Sequence, residues 1–426
     1  MRLLLCAIAC FTLPAFAEPT DLDLRGDFTT EVFRDINADA EPLPQPPAES
    51  GVVVTSYRAE LGDLHAYATP VRDDGVKRPA LIWVPGGFSG TGPDILDPSA
   101  ADPANDQTVT TYLQAGDNGD RLVVFVPTFR GTNGNPGQTE MFLGEADDLV
   151  AAVEHVSARP DVDPEQIYVA GHSTGGTVAL IAAALTDVPA GVLCVGGAPD
   201  YVVTLRLGGY GVEPFDTSAL QEAKMRSPIT FAEHLKVPVL YVEGGLEDAS
   251  ADGYPAAARR MAAMAPKADM TVVLPRGRDH FTVLAPLHRV VAQSLVAENG
   301  LPQPRRLLEA TSVGPADPQT AQTMGDLARL GPGGFKQKGL VVTDEAAEGL
   351  KGWLSGVPEL EAPVVVFDFF PGPNGLMWDF TVTDEVPETY VRKTANGIAI
   401  AVSPDVAAAF QGLTLTVDGE GKFDFE

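Results

Sequence analysis

Between residues 52 and 298 the chain alternates short, continuous apolar runs with longer amphipathic stretches. The runs ALIWVP (80–85), RLVVFVP (121–127), QIYVAG (166–171), GVLCVGG (191–197), VPVLYVEG (237–244) and MTVVLP (270–275) have the length of strands buried on both faces. GVVVTSY (51–57) and LHAYATPV (64–71) predict two earlier strands. Between them, GEADDLVAAVEHVSA and PAAARRMAAMAP carry the helical period. This alternation predicts an α/β fold, a mostly parallel eight-stranded sheet covered by helices. Sheets of that kind bind ligands at the carboxyl ends of their strands.

The rhythm stops near residue 298. Residues 299–337 have a Pro/Gly-rich linker composition, with one short helix expected at 320–330. Residues 338–426 restart as GLVVTDEAAEGLKGWLSG followed by APVVVFDFF, MWDFTVT, GIAIAVS and LTLTV, which predicts a separate small α+β domain. Residues 18–50 are polar and proline-rich and read as a surface arm ahead of a catalytic-sized unit at 51–298.

Charge and cysteines narrow the setting. The opening MRLLLCAIACFTLPAFA (1–17) reads as a secretory signal peptide with an A-x-A site at Ala15–Ala17, so export to a periplasm or the exterior is expected. Its apolar run is too short to span a bilayer, and no other stretch is long enough for a span. Removing it takes away Cys6 and Cys10 and leaves Cys194 alone in an apolar run, a buried thiol without a disulfide partner. The net charge is −29, with the acids dispersed, which argues against nucleic acid and anionic membranes as partners.

The chemistry gathers around AGHSTGGTVALIAAAL (170–185), which fits G-x-S-x-G as Gly171, Ser173 and Gly175 between a predicted strand and a predicted helix. A serine on such a sharp turn is lifted out of the sheet, and the Thr174 amide sits at a helix N-terminus, facing developing negative charge. Ser173 is therefore the candidate nucleophile. In this arrangement the acid and then the histidine follow the serine along the chain. Of the three histidines after Ser173, His280 follows the last strand in LPRGRDHFTVLAPL; His234 precedes its strand and His288 falls within a helix. The acid belongs in VPVLYVEGGLEDAS, where side-chain type favours Asp248 and spacing favours Glu247; Asp248 is preferred, and Glu243 ranks third. The second oxyanion donor is expected from VPGGFSGTG, as the amide of Gly87 or Phe88. No metal-ligand spacing such as H-E-x-x-H occurs, so no metal and no organic cofactor is expected.

These residues resemble the α/β-hydrolase superfamily, and more narrowly the catalytic domain of prolyl oligopeptidase-like (family S9) serine hydrolases and dienelactone-hydrolase-like esterases. PTFRGTNGNPGQTEMFLGEADDLVAAVEHV is similar to the family's Arg-Gly loop and following helix, VDPEQIYVAGHSTGG to the run into the nucleophile, RSPITFAEHLKVPVLYVEG to the segment before the acid, and GRDHF to the histidine loop. The resemblance implies a Ser-His-acid hydrolase working through an acyl-enzyme. The peptidases place a β-propeller before this domain, and too few residues precede the first strand here to form one. Esters are accordingly the expected substrates, small peptides or amides the alternative, and a non-catalytic binding protein the reading from another class. Residues 338–426 resemble the A-type (HesB/IscA-like) iron–sulfur carrier fold. The carrier loop's cysteine is replaced within Gly372-Pro373-Asn374-Gly375, and no cysteine follows Cys194. The resemblance therefore implies a fold without cluster ligands, packed on the hydrolase unit or offering a protein-docking surface.

Overall fold

The computed structural model describes residues 24–313, apart from 27, 117–119, 207, 245–252, 266–267 and 299, and parts of 341–425. The leader at 1–17, Glu247 and Asp248, the helix expected at 320–330 and the Pro373–Asn374 turn lie outside the described residues.

Eight strands form one sheet: β1 (Val53–Ala59), β2 (Gly62–Ala68), β3 (Arg78–Val84), β4 (Val123–Pro127), β5 (Val162–His172), β6 (Gly191–Val195), β7 (Val239–Val242) and β8 (Met270–Val273). Their order is β1-β2-β4-β3-β5-β6-β7-β8. β1, β2 and β4 pair antiparallel, and every pair from β4 onward is parallel. The expected mostly parallel eight-stranded α/β sheet is therefore present.

Strand β3 shows why its sequence reads as one apolar run. Ala80, Ile82 and Val84 point into one core, while Leu81 and Trp83 point into the core on the opposite face. With both faces buried, the two-residue alternation carries no polar positions. Helices α2 (Leu143–Ser157) and α3 (Thr174–Leu185) cover the first face, after the short α1 (Thr110–Leu113). Two further short helices, α4 (Tyr201–Arg206) and α5 (Leu220–Met225), follow β6, and α6 (Gly253–Met264) precedes β8. Helix α7 (Leu284–Ala297) covers the second face with α8 (Pro304–Thr311).

Helix α8 lies in the stretch read from composition as linker. Pro304 opens it at a position where a missing N–H costs nothing. Leu307 and Thr311 are fully buried, and past the helix the Val313 amide donates to the Arg276 carbonyl. Proline and glycine content set the expectation there, and the two buried leucines of α8 override it.

Further along, β10 (Val364–Gly372), β11 (Gly375–Thr383), β12 (Val391–Ala395) and β13 (Ile398–Val402), counted after β9 (Val341–Val342), form a second sheet in the order β11-β10-β13-β12. β9 pairs with β14 (Thr414–Val417), which pairs with β15 (Phe423–Phe425). Among the described residues no helix is long and apolar enough to cross a membrane.

Candidate active site

Ser173 stands between β5 and α3 with φ +54° and ψ −121°, a strained conformation for a residue with a side chain. The flanking glycines permit it. A Cβ on Gly171 would run into the carbonyl of Gly175, and one on Gly175 into the carbonyls of Val84 and Pro85. The Ser173 amide donates to the Val195 carbonyl at 2.7 Å, tying the elbow to the end of β6. Thr174 is the first residue of α3, where backbone N–H groups have no partner within the helix.

His280 follows β8, and its Nδ1 lies 3.1 Å from Glu243 Oε2 just past β7. Glu243 is 2% exposed, and its Oε1 accepts the Gly244 amide at 2.9 Å. With its Nδ1 proton held by a buried carboxylate, the imidazole has Nε2 left to accept a proton. A side chain on Gly196, at the end of β6, would strike both the His280 ring and the Glu243 carboxylate. His280 and Glu243 thus meet beside Gly196, at the end of the sheet where the Ser173 elbow also stands. The other two histidines serve elsewhere: His234 is exposed at the end of a 3-10 helix (Pro228–His234). His288 is buried between the Tyr112 hydroxyl at 2.8 Å and the Asp106 carbonyl at 2.9 Å. Cys194 is buried and free, and burial pushes its thiol well above the usual range.

The loop after β3 faces the elbow. Gly86 backs directly onto Ser173, and Gly87, at φ +94°, gives its carbonyl to the Thr174 hydroxyl at 2.9 Å. The Thr174, Gly87 and Phe88 positions expected for the oxyanion hole are therefore neighbours. Residues 81–233 match the family model described as the Alpha/beta hydrolase family. The fold is that of the α/β hydrolases, with a strand–serine–helix elbow at Ser173.

No curated protein matches the chain significantly. Among solved structures, it is similar to a dipeptidyl peptidase 4 from Porphyromonas gingivalis, at 18% identity and TM-score 0.42, covering 54% of this chain and 32% of that one. It is also similar to a puromycin-hydrolyzing peptidase from Mycobacterium tuberculosis, at 20% identity and TM-score 0.46, covering 59% and 40%. An esterase from Pyrococcus furiosus is similar at 15% identity and TM-score 0.43, covering 62% and 98%. The match thus spans well under half the length of the two peptidases.

Around the elbow lie residues that the sequence did not single out. A cleft of about 640 Å³ is lined by Ser173, His172, Gln107, Asn105, Asp94 and Phe281, among others. Phe281 is 44% exposed, an aromatic surface beside the histidine. His172 is buried, its Nε2 donating to the His280 carbonyl at 3.1 Å and its Nδ1 3.1 Å from the Gln107 side-chain amide. Its ring lies 4.7 Å from that of His280. Burial, and secondarily the His280 charge, push His172 down to about 3, so it stays neutral. Its place inside G-x-S-x-G was the available signal. Gln107 and Phe281 belong to loops whose approach no local pattern reveals.

Proposed function

We propose that this serine hydrolase cleaves carboxylic esters through an acyl-enzyme, with Ser173 as nucleophile, His280 as base and Glu243 as the acid. The observation that supports this most is the strained Ser173 elbow beside a histidine held by a buried carboxylate. In the reaction, His280 Nε2 takes the Ser173 proton as Oγ attacks the acyl carbon. The oxyanion is stabilised by the Thr174 amide and by the amide of Gly87 or Phe88. His280 returns the proton to the departing alkoxide, and then activates the water that hydrolyses the acyl-enzyme. Throughout, Glu243 orients the ring and stabilises its charged form. The cleft beside Ser173 has room for a substantial leaving or acyl group. The reading of residues 1–17 as a signal peptide supports a periplasmic or extracellular setting for the reaction.

A second reading, hydrolysis of short peptides, draws on Asp94. This exposed carboxylate on the cleft wall is suited to pair with a peptide's amino terminus. A panel of chromogenic esters beside peptide anilides separates the two. Ester turnover exceeding anilide turnover at equal concentration supports the first reading, and efficient anilide release with esters untouched overturns it.

A further inference from the structure

We infer that Asn37, on the N-terminal arm, is a positioning residue for the oxyanion loop. It acts together with the Thr174 hydroxyl, and the inference rests on the hydrolase reading above. The loop that follows β3 contains Gly86 and Gly87, and glycines lower the cost of moving a backbone as well as allowing close approach. A useful oxyanion donor must nonetheless be fixed before the reaction begins. Two side chains fix consecutive carbonyls of this loop. The Thr174 hydroxyl donates to the Gly87 carbonyl at 2.9 Å, and Asn37 Nδ2 donates to the Phe88 carbonyl at 2.7 Å. Because a trans peptide is planar, holding a carbonyl also sets the direction of the next residue's N–H. Both planes flanking the Phe88 α-carbon are thereby set: the Thr174 bond fixes the plane that carries the Phe88 N–H, and the Asn37 bond resists rotation about Phe88 from its other side.

Asn37 is itself held. Nδ2 also donates to Thr139 Oγ1 at 2.8 Å, which uses its second hydrogen, and the Asn37 amide donates to Asp35 Oδ1 at 3.0 Å. The far end of the loop is fastened separately: the Asn133 side chain accepts from the Thr91 amide at 2.8 Å and donates to the Thr91 carbonyl at 2.9 Å. Between these points the Phe88 ring meets Tyr210 edge-on, with centroids 5.3 Å apart. The arm reaches Asn37 through anchors well away from the loop. Arg25 grips both oxygens of Asp147 at 2.9 and 2.8 Å, and Thr30 Oγ1 donates to Glu222 at 2.9 Å. Those anchors provide a control, because cutting one loosens the arm without touching the loop.

The test uses full-length protein, p-nitrophenyl acetate kinetics, the rate of inactivation by a fluorophosphonate, and melting temperature. Losing one oxyanion donor costs roughly a hundredfold or more, so loosening rather than deleting one is expected to cost about tenfold. Asn37→Ala and the isosteric Asn37→Asp, which loses the donor, should each lower kcat about tenfold with KM nearly unchanged. Thr174→Val should do the same, and Thr174→Ser should recover most of that loss. Arg25→Ala should keep kcat near the wild-type value. Asn37→Ala combined with Thr174→Val should lose less than the product of the single losses, since both act on one loop. Unchanged kcat in Asn37→Ala and Asn37→Asp overturns the inference, as does Arg25→Ala losing as much as Asn37→Ala. Labelling of the wild type separates the two levels of the reading. A wild type that takes no label and turns over no substrate removes the hydrolase reading and this inference with it; a labelled wild type with an indifferent Asn37 removes only the inference.

Discussion

Replacing Glu243 by glutamine keeps the shape of the side chain and removes its charge from beside His280. The carboxylate oxygen lies 3.1 Å from Nδ1 and the residue is 2% exposed, so solvent screens the pair weakly. At an effective dielectric of about 20, unit charges at that distance attract by about 5 kcal/mol. The imidazolium exists only as the proton leaves Ser173, so most of that attraction belongs to the transition state. At about 1.4 kcal/mol per decade, the expected loss in kcat is three to four orders of magnitude, with KM little changed. The glutamine amide can also present an N–H to Nδ1 and stabilise the wrong tautomer, which acts in the same direction. The assay is steady-state hydrolysis of p-nitrophenyl acetate by wild type, Glu243→Gln, Asp248→Asn and Glu247→Gln, each with melting temperature as a folding control. Asp248→Asn and Glu247→Gln should stay within about threefold of wild type. A thousandfold loss in Asp248→Asn or Glu247→Gln, with Glu243→Gln within tenfold of wild type, would refute this assignment of the acid.

Three further outcomes are expected. His172 is pushed down to about 3 from 6.5, so between those values the unfolded chain binds a proton that the folded chain refuses. Its contribution is complete above about pH 6.5 and is lost as pH falls toward 3, up to about 4–5 kcal/mol. Urea unfolding from pH 7 to 4 should therefore weaken more steeply in wild type than in His172→Gln; equal slopes would contradict this. Burial pushes Glu145 up to about 7, a stabilisation lost as pH rises through that value, and it is common to both proteins and cancels. Arg130 is 4% exposed and donates to both Asp148 oxygens, so Arg130→Met should cost about 3–5 kcal/mol in urea unfolding by stranding a buried carboxylate; a cost below 1 kcal/mol would contradict it. Anaerobic incubation of the full chain with iron and sulfide should leave no visible cluster absorbance, whereas stoichiometric bound iron would overturn the reading of 338–426 as a fold without ligands.

The sheet was legible because the parallel strands β3, β4, β6 and β7 are buried on both faces, leaving continuous runs such as ALIWVP and GVLCVGG with no polar interruption. The elbow was legible because its geometry demands glycine on both sides of Ser173, and the demand is local. Glu243 ranked third in the sequence because side-chain type favoured Asp248 and spacing favoured Glu247. Its approach to His280 depends on Gly196 just past β6, where a Cβ would strike both side chains. That relation joins residues 37 to 84 positions apart and leaves no periodic trace. Helix α8 was hidden for a related reason: its leucines find their core only once α7 and β8 are in place. The role of Asn37 is less legible still, since one asparagine in a proline-rich arm has no pattern to belong to.

The central claim is that Ser173 is an activated nucleophile, and the most direct measurement is covalent labelling. Wild-type protein treated with a fluorophosphonate should gain one adduct, located by peptide mass spectrometry on Ser173, in step with the loss of ester hydrolysis. Ser173→Ala should take no label and lose roughly a thousandfold or more in turnover while keeping its melting temperature. An adduct on another residue, or hydrolysis and labelling that survive in Ser173→Ala, would contradict it.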